Sequence, residues 1–204
     1  MSGYAPDAAA LVCLDLQRER LSTEGAAATA AVCREVLAQA RRRRWPVLHV
    51  HARPGALPPD RPIPGLEPLP SEAVFLRQGP SAFTNASFSQ TAQILGGPLV
   101  LIGFSMADTV LATAFAAADR DLAVEVIDDA VGGDPANRNI LLKPLAALAP
   151  RARVTTLHEL FLEDAMRFAA ANMPRPISRP RKASCPSARR ATHPTWTWRT
   201  RPRN

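Results

Sequence analysis

Two stretches of this 204-residue chain are apolar almost end to end, AALVCLDL at 9–16 and PLVLI at 98–102. A strand reads this way when both of its faces are covered, which is the condition of a central strand in a parallel sheet. The second stretch continues as PLVLIGFSMADTVLAT, an apolar strand entering a glycine turn and then an alanine-rich helix. In open α/β folds such a strand-to-helix junction opens onto the crevice where ligands bind.

The rest of the pattern agrees. Ala26, Ala30, Val32, Val36, Leu37 and Ala40 recur at spacings of three and four, which predicts a helix from Thr23 to about Arg43. PVLHVH at 46–51 reads as a strand, and 54–70, with seven prolines, as a long ordered or semi-ordered loop, a class that often serves as a lid or binding loop. A short strand follows at Ala73–Leu76, a helix at Phe88–Leu95, and the junction helix runs to 118. Beyond it come a strand at Leu122–Ile127, a helix at Pro135–Leu148, a strand at Ala152–Thr156 and a helix at His158–Ala171. Strands alternating with helices predict a three-layer αβα, Rossmann-like, doubly wound parallel sheet of about six strands with right-handed crossovers.

The formal net charge of +7 is unevenly distributed. Residues 174–204 hold nine Lys and Arg and no acid, which leaves 1–173 at a net −2. The expected organisation is one domain over 1–173 and a basic Pro/Arg-rich tail over 174–204, disordered in isolation because it lacks hydrophobic periodicity. Its cations with Trp196 and Trp198 offer a possible nucleic-acid contact, against the plainer reading of an accreted, GC-rich extension. Cys13, Cys33 and Cys185 have neither a disulfide framework nor metal-ligand spacing. No apolar run reaches the roughly 20 residues needed to span a bilayer, and MSGYAPDAAA lacks the form of a signal peptide. A cytoplasmic protein without a membrane partner is the expectation.

Asp15 stands at the C-terminal end of the first strand, where a carboxylate faces the crevice and has the makings of a general acid or base. A loop-capping aspartate is the structural alternative. Arg77, at the end of AVFL, could supply a neighbouring cation, or simply a surface ion pair. Ser105-Met106-Ala107-Asp108 has the S-x-x-D form of a capping box, and Thr109 falls in the first turn, where amides and hydroxyls suit an oxyanion. Arg41–Arg44 either bind phosphate or complement a helix C-terminus, the second being preferred. His49 and His51 share a strand face, and a H-x-H pair can bind zinc, but the pair reads as core or crevice-lining.

Three blocks resemble the isochorismatase-like (cysteine hydrolase) superfamily across about 8–168: ALVCLDLQ, FLRQGPSAF and LVLIGFSMADTVLATAFAAADRDLAVEVIDDAV. The resemblance puts a catalytic Asp at Asp15, a catalytic Lys at the position of Arg77, and the nucleophilic Cys at the position of Thr109. Val110-Leu111-Ala112-Thr113, Asp119-Arg120 and Asp129-Ala130 match the surrounding pattern. It also implies a non-proline cis peptide at Ser105–Met106, an oxygen-binding corner formed by Thr109 with the amides of Met106 and Ala107, crevice walls at Phe83 and Phe104, and a homo-oligomer (dimer or tetramer). A threonine hydroxyl gains far too little from a helix terminus to ionise near neutral pH, unlike a thiol, so covalent hydrolysis is not expected. Family members that hydrolyse isochorismate work without the cysteine, by protonating a vinyl ether and adding water. The expectation is therefore a non-covalent hydrolase of a small carboxylated metabolite, needing no cofactor and no metal. In it Asp15 is the acid/base, Arg77 the clamp, Thr109 the oxygen-binding group, and Phe83, Phe104, Ser105, Met106 and Ala107 contact substrate. The alternative is a catalytically silent member that binds a small molecule or serves in an assembly.

Overall fold

The computed structural model describes residues 9–22, 24–53 and 61–161. Six parallel strands form one sheet: β1 (Ala10–Leu14), β2 (Val47–Ala52), β3 (Ala73–Arg77), β4 (Leu99–Phe104), β5 (Val124–Gly132) and β6 (Ala152–Thr155). Their order is β3-β2-β1-β4-β5-β6, so the chain winds outward in one direction from β1 and then in the other from β4. The reversal between β1 and β4 opens a crevice at the carboxyl ends of those two strands.

The apolar runs explain why these two strands lie at the centre. Every residue of β1 and β4 is buried. In β1 the alternate positions Leu11 and Cys13 pack on one face with Ala30, Cys33, Val36 and Leu37 of helix α1 (Ala26–Arg42). Ala10, Val12 and Leu14 pack on the other face with Phe88 and Ala92 of α2 (Ala86–Leu95), and with Ala114 and Ala117 of α3 (Leu111–Ala118). Period-two alternation thus feeds two cores rather than a core and a wet face. Each large aliphatic side chain so buried contributes about 1.5–3 kcal/mol.

The boundaries differ from the periodicity in ways that local chemistry explains. Helix α1 begins at Ala26 rather than Thr23, because Gly25 takes a left-handed φ of 73° at its N-cap. Helix α2 begins two residues early, because the Asn85 side-chain oxygen accepts from the Phe88 amide at 2.9 Å. Strand β5 extends to Gly132, five residues past the apolar run, and rejoins β4 after a register shift. Helix α4 covers Arg138–Ala146 after a 3-10 turn at Pro135–Asn137. The helix expected at His158–Ala171 is described only at 157–161, and the tail at 174–204 lies outside the described residues. The described part of the proline-rich loop, 61–70, packs against the domain: Ile63 and Leu66 are buried, and the Ile63 amide donates to the Leu16 carbonyl at 3.0 Å. Residues 54–60 lie outside the description.

Candidate functional site

The side chains that converge on the crevice come from four segments. Asp15 follows β1 with a φ of 47°, a left-handed conformation that Asp tolerates better than most residues. Its carboxylate is fully buried and accepts from three groups. Arg77, ending β3, grips both oxygens, Nε to Oδ1 at 3.2 Å and Nη2 to Oδ2 at 2.5 Å. Arg20, on the 3-10 turn Arg18–Ser22, donates from Nη2 to Oδ2 at 3.2 Å. Thr109 donates its hydroxyl to Oδ2, also at 3.2 Å. Asp15, Arg77 and Thr109, separated by up to 94 residues, are therefore one hydrogen-bonded cluster.

The junction after β4 is built differently from the capping box its sequence suggests. Ser105 is the N-cap, but its side chain makes no capping bond, and Asp108 is exposed. The turn Met106–Val110 is a single π-helical turn in which the Ser105 carbonyl accepts from the amides of both Thr109 and Val110 at 3.1 Å. This wide turn rotates Thr109 inward, where it is buried and faces Asp15. The non-proline cis peptide is Phe104–Ser105, one residue earlier than the resemblance implies: Ser105 itself is extended (φ −100°, ψ 144°) and the turn starts only at Met106. Gly103 makes the close approach possible: at φ 124° it lies against Leu14, and a Cβ there would sit 1.9 Å from the Leu14 carbonyl oxygen.

A cavity of about 380 Å³ opens beside this cluster, lined by Arg20, Glu24, Phe104, Ser105, Gly132, Gly133 and Asp134. Phe104 and Ser105 are therefore where crevice-lining residues were expected. Met106 is buried in the core next to them and Ala107 is exposed. Phe83 is not part of the lining; it packs edge-on against Phe88 (5.1 Å between ring centres), with the Arg120 guanidinium 4.8 Å over its ring. Arg20 and the Gly132-Gly133 pair were missed by sequence reading. One signal for Arg20 was available, since a loop leaving the carboxyl end of a central strand borders the crevice. The glycines became visible only when β5 proved longer than its apolar run.

His51 is half-buried on β2. Burial lowers its pKa while the Asp15 charge acts in the opposite direction, which leaves a neutral imidazole near neutral pH. His49, two residues back, is fully buried and bonds Glu72 through Nε2 at 2.9 Å, and its Nδ1 has no partner among the described residues. Glu72 is also gripped by Arg41, at 2.8 and 2.9 Å. Burial opposes its ionisation, but Arg41, the Leu69 amide and His49 together hold its pKa down at about 2. Arg41 thus belongs to a part-buried ion pair rather than to a phosphate site. No cluster of three or more His, Cys, Asp or Glu side chains suited to a metal occurs among the described residues. No described helix is long and apolar enough to cross a membrane.

A doubly wound parallel sheet with a crevice at its switch point, and a buried carboxylate beside that crevice, defines the class as an open α/β fold of the kind that places ligands there. Residues 9–159 match the isochorismatase domain family, and the chain belongs to that family. Among solved structures it is similar to an isochorismatase from Pseudomonas putida KT2440, with 27% identity, a TM-score of 0.63, and coverage of 76% of this chain and 92% of that one. An isochorismatase family protein from Desulfovibrio vulgaris (23% identity, TM-score 0.67) covers 79% of this chain and is itself 99% covered. The MAR1 ribonuclease from Caenorhabditis elegans (20% identity, TM-score 0.69) covers 87% and is itself 100% covered. These last two likenesses are of fold. Among curated proteins no sequence is significantly similar.

Proposed function

We propose that this protein is a non-covalent hydrolase of a small carboxylated metabolite, with Asp15 as its acid/base. The observation that carries this reading is the hydrogen-bond set around Asp15. Oδ2 accepts from Arg77, Arg20 and Thr109 together, which is the arrangement of an ionised carboxylate, while Oδ1 accepts from Arg77 alone. A carboxylate so oriented takes a proton from an attacking water and returns it to the leaving oxygen or nitrogen as the tetrahedral intermediate collapses. For a vinyl ether the same group, once protonated, delivers its proton to the terminal enol carbon; water adds to the resulting oxocarbenium, giving its proton back to the carboxylate, and the hemiketal collapses to a ketone as the ether C–O bond breaks and the leaving oxygen takes the proton.

Thr109 has the hydrogen bond of a nucleophile–base pair but not the chemistry of one. A carboxylate is far too weak a base to generate an alkoxide, and the hydroxyl, like Asp15 itself, is buried and outside the cavity lining. Its role is to hold Oδ2. Arg77 anchors the carboxylate and also donates to the Gly79 carbonyl at 2.6 Å.

The full burial of Asp15 favours a second reading, a silent member that binds its ligand in the cavity without turning it over. The two separate on kinetics. Assayed on a panel of small carboxylated enol ethers, esters and amides, Asp15→Asn should lose about 10²- to 10⁴-fold in kcat, the range for removal of a general acid/base. A wild-type protein that binds panel members and turns none over, or an Asp15→Asn variant as active as wild type, rejects the catalytic reading.

A further inference from the structure

A second cavity of about 380 Å³ lies at the amino ends of β2 and β3, the opposite end of the sheet from the crevice. Its walls include Arg41, Arg44, Trp45, Leu69, Glu72 and Leu95. Two of these charges cancel, because Arg41 grips the Glu72 carboxylate at 2.8 and 2.9 Å. Arg44 is different. It is exposed, and its side chain makes no hydrogen bond or ion pair with any described residue. The cavity wall therefore carries one uncompensated positive charge.

Arg44 also stands where backbone geometry favours glycine. Helix α1 ends in a Schellman turn: the Trp45 amide donates to the Ala40 carbonyl at 3.0 Å, and the Arg44 amide to the Arg41 carbonyl at 3.1 Å. Just past the cap, Arg44 takes a left-handed φ of 58°. Glycine adopts that conformation freely, whereas a residue with a Cβ is strained in it. Backbone bonds already satisfy these helix-end carbonyls, so they do not require the guanidinium. Around it the wall is apolar: Leu69 is 45% exposed, and Trp45 is braced by Phe161, with ring centres 5.8 Å apart. Covering such surface favours an apolar ligand body.

We propose that this cavity is a second ligand site, for a small molecule with a flat apolar body and one carboxylate. The carboxylate pairs with Arg44 and the body lies against Trp45 and Leu69. One free cation matches one anion, and Glu72 disfavours another. An occupant does not compete for the crevice, so the site stands or falls independently of the role of Asp15.

The test titrates the full chain with naphthoate, its neutral analogue naphthamide and inorganic phosphate, followed by methyl and amide resonances. Wild type should bind naphthoate at least about threefold more tightly than naphthamide, the scale of one exposed ion pair. That preference should shrink in high salt, and the methyl signals of Leu69 and Leu95 should move. Phosphate, which has charge without an apolar body, should not displace naphthoate. Arg44→Gly suits the backbone and should keep the urea midpoint at or above wild type while losing the preference; Arg44→Lys should keep part of it. Leu69→Ser should weaken both aromatic ligands. The proposal is overturned by equal affinities in wild type, by a preference that survives in Arg44→Gly, by displacement with phosphate, or by shifts confined to the Gly132 and Gly133 amides of the crevice.

Discussion

At the scale of single residues, the account turns on a buried carboxylate and the cations that hold it. Removing one partner of a buried pair costs about 3 kcal/mol or more, because the remaining charge loses its compensation. Arg77→Gln should therefore lower stability by about 3 kcal/mol, read as a fall in the urea midpoint with an unchanged slope. A midpoint within error of wild type would show that Arg20 and Thr109 hold Asp15 without it. Asp15 was legible in the sequence, as the one charge in an apolar strand and at its crevice end. So were Arg77 and Thr109, by their match to the family blocks. Arg20 was not, because its importance depends on where a short turn folds back, and RERL carries no periodicity to reveal that. Ser105 and Asp108 mark the reverse failure: the S-x-x-D spacing satisfies a capping box, yet the turn widens and neither side chain caps it.

At the scale of elements, the crevice depends on how closely β4 approaches β1. Gly103 pairs with Leu14, its φ of 124° suits glycine alone, and an added methyl would overlap the Leu14 carbonyl. Gly103→Ala should cost more than about 4 kcal/mol, among the largest single-residue effects, and yield little soluble protein. Gly25→Ala is the matched control: its φ is also positive, but nothing lies within 4 Å of the added carbon, so only the left-handed cost of about 1–2 kcal/mol applies. Equal losses at both sites would mean that strand approach is not the constraint. All six strands were legible, five from apolar runs and β6 from its place in the alternation of strands and helices. The extension of β5 was not, because Asp128 and Asp129 interrupt the pattern while the backbone continues to Gly132.

At the scale of the whole molecule, alternation of strands and helices predicted a doubly wound sheet, but the strand order depends on crossover geometry that no local pattern encodes. The cavity is likewise a whole-molecule property, assembled from the turn after β1, the end of β4 and the end of β5. Stability should also carry a global pH signature. Burial holds His49 and His51 below their ordinary 6.5 in the folded chain, so unfolding takes up protons as pH falls through that value, and stability declines. Glu72, held at about 2 against 4.5 unfolded, adds a second loss between those values, which Glu72→Gln should remove from the pH profile of the urea midpoint. The central claim, that Asp15 and not Thr109 carries the chemistry, is tested most directly by measuring kcat/KM for Asp15→Asn and Thr109→Val side by side on the best carboxylated substrate of the panel. The account predicts a loss of at least about 100-fold for the first and no more than about tenfold for the second. A Thr109→Val variant as inactive as Asp15→Asn, or an Asp15→Asn variant as active as wild type, would contradict it.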